Sequence, residues 1–189
     1  MTEERESSRR AVPLWAQILI WALLVGLLAL LGSSLNRTRQ GNIQPGYKAP
    51  DFNLTFYSGY EYNGQYGLKL SDLAGKVVFI NFWASWCKPC EQEATILEEA
   101  WKYYQPDGKV VFLGVDYVDT EPEARIFLQK FSNTYPNGPD LGTRISQAFH
   151  ISGVPETYVV DSDGILRSVQ IGPFTSVDEI KAVLDPLLH

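Results

Sequence analysis

Cysteine is scarce in this chain of 189 residues, which has only two, Cys87 and Cys90, three positions apart. This scarcity excludes a disulfide-stapled scaffold and any four-cysteine metal site. Histidine is equally rare, with only His150 and His189. Any thiol chemistry or metal binding by cysteine must therefore come from this one local pair of residues.

Charged residues are absent between Arg10 and Arg37, a gap of 26 positions. Residues 12–31 within this gap are almost entirely apolar, and as a helix they would rise about 30 Å, the thickness of a bilayer's hydrocarbon core. We therefore predict a transmembrane anchor over residues 12–31. Cleavage as a signal peptide is the alternative, because Gly32-Ser33-Ser34 offers the small residues that signal peptidase requires.

Three arginines precede the apolar segment, together with the amino terminus, and two arginines come after it. The positive-inside rule counts these charges and favours a cytoplasmic N-terminus. The predicted organisation is a cytoplasmic N-terminus at 1–11, the anchor at 12–31, a polar linker at 32–48 and one domain outside the cytoplasm at 49–189.

Negative charge dominates the rest of the chain, since residues 41–189 hold 11 Lys and Arg against 19 Asp and Glu, a net charge of −8. A phosphate-binding surface requires positive charge, so nucleic-acid binding is excluded as a function class. About 150 residues form one well-cored domain and not two.

Hydrophobic patterning in the domain predicts an α/β fold, because strands alternate with helices. Such an order implies a partly parallel sheet covered on both faces, with an antiparallel hairpin at its edge. Strands are predicted at 52–56, 76–82, 110–115, 157–160 and 165–171, and helices at 90–104, 120–131, 144–149 and 176–188.

Local signals mark several turns and helix starts. Asn63-Gly64 predicts a hairpin within the tyrosine-rich stretch 57–67, interpreted as a surface hairpin or as a patch that faces a partner. Asp161–Gly164 predicts a second hairpin turn, whereas Pro136–Pro139 breaks the pattern. Capping boxes are predicted where Thr120 and Ser176 each precede a glutamate by three positions.

The two cysteines come directly after a buried strand and open a helix, and this placement favours redox chemistry. Unpaired N–H groups at a helix N-terminus stabilise a thiolate on Cys87, and Lys88 adds a nearby cation. Cys90, one turn further in, can resolve a mixed disulfide. A purely structural disulfide and half of a zinc site, assisted by His150, are the alternatives; we predict no metal site.

The segment Phe82-Trp83-Ala84-Ser85-Trp86-Cys87-Lys88-Pro89-Cys90 resembles the active site of the thioredoxin superfamily. Ala49–Phe52, residues 70–76 and Gly153–Tyr158 resemble the membrane-anchored, extracytoplasmic thiol-disulfide oxidoreductases of the ResA/DsbE (CcmG-like) type. The resemblance implies a thioredoxin-like fold, a mixed central sheet covered by helices on both faces, preceded by one N-terminal transmembrane helix.

The same resemblance implies an activity and its partners. The domain would reduce disulfide-bearing proteins outside the cytoplasm, often apocytochrome c during cytochrome c maturation. A membrane thiol transporter of the CcdA/DsbD type would supply the electrons. No cofactor is needed, because the two sulfur atoms hold the electrons.

Residue by residue, Cys87 matches the family's attacking thiol and Cys90 its resolving thiol. Pro155 matches the cis-proline beside the active site, which leaves the Val154 backbone free to pair with an extended substrate strand. Trp86, directly before the attacking cysteine, matches a residue of the substrate-binding surface.

Two glutamates match positions that modulate the cysteines, and the charge of Lys88 places a third modulating group beside Cys87. Glu93, three residues after Cys90, would accept a proton or raise the thiol pKa values, with a solvated helix carboxylate as the alternative. Glu156 would shape an acidic mouth for the substrate, with plain surface charge as the alternative. Lys88 would favour the thiolate. Thioredoxin has a buried aspartate where this chain has Asn81, which argues against a plain cytosolic thioredoxin.

Two other functions remain as alternatives. A peroxiredoxin-like peroxidase can open with Ala-Pro-Asp-Phe, but it places threonine and proline upstream of its cysteine, where this chain has Trp83–Trp86. A non-enzymatic adaptor would hold apocytochrome or haem through the tyrosine-rich stretch.

Overall fold

The structure, a computed structural model, describes residues 13–37 and 43–188, and the chain divides into two compact units between Asn42 and Ile43. The described part of the first unit is one helix, α1 (Leu14–Arg37), with side chains described as far as Leu30. Within the two described ranges, no helix combines the length and the apolarity that crossing a membrane requires.

The second unit is built on a five-stranded mixed sheet with strand order β5-β4-β3-β6-β7. Strands β3, β4 and β5 are parallel, whereas β6 runs antiparallel to β3, and β7 antiparallel to β6. A separate pair, β1 and β2, is antiparallel. The strands are β1 (Asn53–Thr55), β2 (Gly67–Lys69), β3 (Val77–Trp83), β4 (Val110–Tyr117), β5 (Asn137–Asp140), β6 (Glu156–Val160) and β7 (Leu166–Ile171).

Helices cover both faces of the sheet, as predicted. On one face α2 and α5 pack against a core that includes Phe79, Phe112 and Ile180. On the other face α4 and the β1–β2 pair enclose a core around Phe82 and Phe149. The helices of this unit are α2 (Lys88–Tyr104), α3 (Glu121–Lys130), α4 (Arg144–Phe149) and α5 (Val177–Leu184).

Strand β3 is buried along its whole length, which explains its position at the centre. Its sequence Val-Val-Phe-Ile-Asn-Phe-Trp is apolar on both faces apart from Asn81, a pattern typical of a strand covered on both sides. Its residues pair in register with β4 from Val77↔Val110 to Trp83↔Asp116. The segment after β3, which carries Cys87 and Cys90, therefore meets the end of β4 at one end of the sheet.

Both predicted turns are confirmed. Asn63 and Gly64 have φ values of 50° and 74°, and Tyr62 pairs with Gln65 across them, as a two-residue hairpin with positive φ requires. Gly164, at φ 79°, donates its N–H to the Asp161 carbonyl in the hairpin between β6 and β7.

Other expectations were wrong in part. Helix α2 begins at Lys88 rather than Cys90, and the predicted break at Pro136–Pro139 lies largely within the edge strand β5 (Asn137–Asp140). Thr120 makes no side-chain cap, because its hydroxyl donates to the Glu123 carboxylate instead. Ser176 does cap α5, accepting the Glu179 N–H.

The segment before β1 ties the N-terminal side of the domain to the sheet. The compact unit begins at Ile43, inside the predicted linker 32–48. The Gly46 N–H donates to the Leu166 carbonyl, and the Leu166 N–H donates to the Tyr47 carbonyl, at the β7 edge. After β1, the Tyr57 N–H donates to the Asn137 carbonyl at the opposite edge, in β5.

We expect Gly138→Ala to destabilise the domain, because a Cβ at this position would lie 2.0 Å from the Thr55 backbone oxygen. Backbone cannot move aside as a side chain can, so the free energy of unfolding should fall by at least about 2 kcal/mol in denaturant titration. Gly142→Ala is the control, since its Cβ would meet nothing closer than 3.9 Å. Equal stability of the two variants would contradict the close β1–β5 contact.

Candidate active site at the cysteine pair

Cys87 and Cys90 lie where β3 passes into α2, and in this structure they are joined by a disulfide. Cys87 is the N-cap of α2, and its Sγ accepts the Cys90 backbone N–H at 3.1 Å. Both side chains are buried, Cys90 more deeply, with 4% of Cys87 and 1% of Cys90 exposed. When the pair is reduced, the same N–H and the helix dipole stabilise a thiolate on Cys87.

The loop before β6 approaches the Cys87 sulfur. The Val154–Pro155 peptide bond is cis, as the resemblance implied. The Val154 carbonyl oxygen lies 3.5 Å from Cys87 Sγ. An extended segment that paired with the Val154 backbone would therefore have its own atoms beside the reactive sulfur.

Trp86 and Lys88 flank Cys87 on the surface. The Trp86 side chain is 58% exposed, and its indole N–H donates to the Val118 carbonyl at 3.3 Å. Lys88 is exposed and forms an ion pair with Glu91 at 3.0 Å, and Lys130 approaches the same carboxylate. The Lys88 charge is thus shared with the Glu91 carboxylate, which weakens its effect on Cys87.

Glu93 is buried behind the cysteines with 1% of its surface exposed, so the solvated-carboxylate alternative is wrong. One oxygen accepts the Asn81 side-chain N–H at 2.8 Å, and the other accepts the Phe174 backbone N–H at 2.9 Å. Burial raises the pKa of Glu93 to about 7, although these two hydrogen bonds favour the ionised form. Glu93 lies one helical turn beyond Cys90. With a pKa near neutral pH, its carboxyl group can therefore exchange a proton on the Cys90 side of the cysteine pair.

Asn81 connects Glu93 to the neighbouring strand. Its amide also donates to the Thr157 hydroxyl at 3.1 Å, while its Oδ1 accepts no hydrogen bond. Asn81 therefore orients Glu93 without being able to take a proton itself.

Glu156 is buried, so the surface-charge alternative for it is wrong. Only 2% of its surface is exposed. Its carboxylate accepts the backbone N–H groups of Ser152 and Gly153 and the Tyr158 hydroxyl. The carboxylate is buried because these three donors replace water. Glu156 thus fixes the loop that leads to Val154 and acts on the cysteines through that loop.

Sequence reasoning missed the loop between β4 and α3. Asp119 accepts the Ser85 N–H at 2.6 Å, directly before Trp86, and Asp116 is buried beside it against Tyr57. The sequence signal that could have identified this loop was the acidic pair Asp116 and Asp119, which follows the apolar run 110–115. This pair lies at the edge of the sheet where the parallel strands β3 and β4 both end.

Within residues 13–37 and 43–188, no group of three or more His, Cys, Asp or Glu residues is able to hold a metal ion. His150 ends α4 and is exposed. The chemistry that the cysteine pair can perform with its own atoms is thiol-disulfide exchange. A thiolate opens a disulfide, a mixed disulfide forms, and the second thiol releases it.

Comparison with protein families finds a match of residues 45–169 to the AhpC/TSA family. The thiol-disulfide oxidoreductase ResA of Geobacillus kaustophilus is 32% identical over 160 residues, which cover 83% of this chain and 88% of that relative. The thioredoxin-like protein YneN of Bacillus subtilis is 32% identical over 167 residues, covering 86% and 94%.

Solved structures show the same fold. A thiol:disulfide interchange protein of the thioredoxin family from Chlorobium tepidum has a TM-score of 0.66 at 22% identity, covering 77% of this chain and 98% of its own. DsbF of Mycobacterium tuberculosis has a TM-score of 0.62 at 25% identity, covering 72% and 94%. The predicted thioredoxin-like fold of the domain is confirmed.

Glu93 should make the stability of the oxidised protein depend on pH. The folded protein keeps this proton up to about pH 7, whereas the unfolded chain loses it near pH 4.5. The folded state therefore binds more protons in this window, and its stability falls as the pH rises. Relative to wild type, the free energy of unfolding of Glu93→Gln should rise by about 3 kcal/mol between pH 4.5 and pH 8.

Denaturant titration at a series of pH values measures this difference. Glu99→Gln, on an exposed position of the same helix, should change the free energy of unfolding by less than about 0.5 kcal/mol at every pH. A difference between Glu93→Gln and wild type that stayed constant with pH would show that Glu93 ionises equally in the folded and unfolded states.

Proposed function

This chain belongs to the AhpC/TSA family and is a thiol-disulfide oxidoreductase of the ResA/DsbE type, and on that premise we propose that it reduces disulfides of proteins outside the cytoplasm. The observation that carries the proposal is the position of Cys87 Sγ, at the N-cap of α2 and 3.5 Å from the Val154 carbonyl. The sulfur thus lies beside a backbone edge that can align an extended substrate.

In the proposed reaction the Cys87 thiolate attacks one sulfur of the substrate disulfide, held along Val154-Pro155 against Trp86. A mixed disulfide forms, and the other substrate sulfur leaves as a thiolate. The Cys90 thiol then loses its proton and attacks Cys87, which closes the Cys87–Cys90 disulfide and releases the reduced substrate. Glu93 is the buried group placed to accept the Cys90 proton near neutral pH.

The carboxylates around the pair favour the reducing direction. Ionised Glu93, one turn from Cys90, opposes a second negative charge on the cysteines and so raises their pKa values. A thiolate that is harder to form stabilises the disulfide over the dithiol, which lowers the reduction potential. Lys88 opposes this effect weakly because it is paired with Glu91.

We place the domain outside the cytoplasm on a single-pass anchor at residues 12–31, with residues 1–11 on the cytoplasmic side. Support comes from the uncharged gap between Arg10 and Arg37 and from the described side chains of α1, which expose large apolar groups such as Trp15, Leu23 and Leu28. Water is a poor environment for such a surface. The predicted linker at 32–48 then connects the anchor to the domain predicted at 49–189, whose compact unit already begins at Ile43.

The proposed substrates are disulfide-bearing proteins, with apocytochrome c before haem attachment as the leading candidate. Each turnover leaves the Cys87–Cys90 pair oxidised, so a membrane thiol transporter of the CcdA/DsbD type is proposed as its electron donor. The resemblance of the motifs supports both partners.

The cysteine variants should separate the two thiols. Cys90→Ser should accumulate a mixed disulfide with the substrate, because Cys87 still attacks but nothing resolves the product. Cys87→Ser should form none and should lose reduction of insulin or apocytochrome c. Non-reducing gels and an insulin precipitation assay measure the two outcomes.

Titration of the Cys87–Cys90 couple against a dithiothreitol buffer should give a reduction potential below about −250 mV. A potential near that of the strong oxidant DsbA, about −120 mV, would reverse the proposed direction. Turnover of hydrogen peroxide faster than of protein disulfides would favour the peroxidase alternative, and unchanged cytochrome output in Cys87→Ser would favour the adaptor.

Anchoring should be lost when charges enter the apolar segment. Leu19→Lys combined with Leu23→Lys costs about 5 kcal/mol of insertion free energy if both lie near the membrane centre, so the chain should leave the carbonate-resistant membrane fraction. Gln40→Lys, in the linker, should not change the fractionation. A mature N-terminus just after Ser34 would show instead that the segment is cleaved.

A further inference from the structure

The segment that carries Cys87 is held from the loop between β4 and α3. Asp119 Oδ2 accepts the Ser85 N–H at 2.6 Å, and the Val118 carbonyl accepts the Trp86 indole N–H at 3.3 Å. The rings of Trp86 and Tyr117 also meet edge to face, with centroids 6.5 Å apart. Both residues directly before the attacking cysteine are therefore fixed by three consecutive residues, the last of β4 and the first two of this loop.

The loop is itself held in an uncommon conformation. Val118 has a φ of 49°, in the left-handed region that a β-branched residue seldom adopts. Such a conformation persists only where surrounding contacts enforce it, and here the Val118 carbonyl accepts the Trp86 indole N–H. Asp119, which is buried, secures the turn because its Oδ1 accepts the Thr120 N–H at 2.7 Å.

A second buried carboxyl group, Asp116, lies beside Asp119. Asp116 Oδ2 accepts the Tyr57 hydroxyl at 2.7 Å, while its Oδ1 accepts no hydrogen bond. Burial raises the pKa of Asp116 to about 8, although the Tyr57 hydrogen bond lowers it, and the charge of Asp119 and a side-chain hydrogen bond between Asp116 and Asp119 raise it further. At neutral pH Asp116 therefore keeps its proton.

Few other charges face this pair. Glu121, at the start of α3, and Arg125, over the Tyr57 ring at 5.7 Å, are the charged groups that approach it from α3. On the neighbouring strands Asp116 is flanked by Trp83 in β3 and Pro139 in β5, which are uncharged. The interaction between Asp116 and Asp119 is thus the main electrostatic interaction at this pair.

We propose that Asp119 is a positioning residue for the attacking cysteine, holding the Ser85–Cys87 segment through the Ser85 N–H, with Asp116 and Tyr57 keeping its carboxylate in place. The proposal rests on the proposed function, since it takes Cys87 as the attacking thiol. An attacking sulfur must lie in line with the substrate S–S bond, so a small displacement of Ser85 slows the exchange without preventing it.

The charge on Asp119 has an effect separable from its hydrogen bond. A carboxylate bonded to the backbone two residues before Cys87 opposes the thiolate, whereas the N–H contact fixes the backbone. Asp119→Asn keeps one oxygen to accept the Ser85 N–H, and it removes the charge together with the acceptor for the Thr120 N–H. Asp119→Ala removes both. The pair of variants therefore distinguishes positioning from electrostatics.

The test uses the full chain, reduced, and measures its exchange rate constant with glutathione disulfide and with a disulfide peptide across pH. Rates are compared at a pH at which Cys87 is fully thiolate, with the thiol pKa taken from iodoacetamide alkylation. Asp119→Ala should lower this rate constant about tenfold or more, as a displaced reacting atom does. Asp119→Asn should recover most of the loss and should lower the thiol pKa.

Asp161→Ala is the matched control, because Asp161 likewise accepts two backbone N–H groups, from Asp163 and Ile165, but at the far end of β6. This variant should exchange at the wild-type rate. If folded Asp119→Ala stays within twofold of wild type for the fully formed thiolate, the proposal is overturned. If Asp119→Ala does not fold, Asp119→Asn provides the test instead. An exchange rate constant of Asp119→Asn more than about threefold below that of wild type then overturns the proposal.

The role of Asp116 in holding the Asp119 carboxylate predicts a separate pH dependence of the exchange rate constant. Above about pH 8 Asp116 ionises next to Asp119, so the thiolate's rate constant should decline in wild type. Asp116→Asn should abolish the decline, and Tyr57→Phe should move it to higher pH, since the Tyr57 hydrogen bond favours the ionised form. An unchanged profile in both variants would remove Asp116 and Tyr57 from the proposal.

These outcomes are independent of the proposed direction. Exchange with glutathione can be followed as oxidation or as reduction, so a potential that makes the protein an oxidant leaves the Asp119 comparison intact. Loss of all exchange in wild type, or unchanged exchange in Cys87→Ser, would instead contradict the proposed function.

Discussion

The parallel register of β3 with β4 is the constraint on which the active site depends. Because Trp83 pairs with Asp116, both strands end at the same edge of the sheet, and the segments after them meet there. After β3 comes Cys87 at the start of α2, and after β4 comes the loop that contacts Ser85 and Trp86. The third component, the loop through Val154, arrives at this edge because β6 runs antiparallel to β3 and begins opposite Phe82.

Buried carboxyl groups surround a reaction that creates negative charge on sulfur. Glu93, Glu156 and Asp116 are all nearly inaccessible to solvent, yet their carboxyl groups accept different numbers of hydrogen bonds. Glu156 replaces water with three donors, whereas Glu93 has two donors and Asp116 has one, and burial raises the pKa values of these last two. Part of the acidic composition of the domain is thus buried near the cysteines, where a carboxyl group opposes thiolate formation only when it is ionised.

Much of the site was predictable because it is local in sequence. The Cys-X-X-Cys spacing, the apolar run 76–82 and the Gly-Val-Pro segment each report their own structure. Burial of Glu93 and Glu156 was not predictable, since it depends on donors from outside their own elements, the Phe174 N–H for one and the Ser152 and Gly153 N–H groups for the other. Strand β5 was missed because Gly138 and Pro139 have poor strand propensity, and pairing with β4 overrides it.

The segment before β3 reaches both edges of the sheet, Gly46 and Tyr47 bonding to β7 and Tyr57 to β5. Exposed strand edges are templates for pairing between chains. By occupying part of each edge with its own backbone, this segment leaves fewer unpaired N–H and C=O groups at the sheet margins for another chain to pair with. The segment that ties the domain together therefore also protects its sheet from edge-to-edge association.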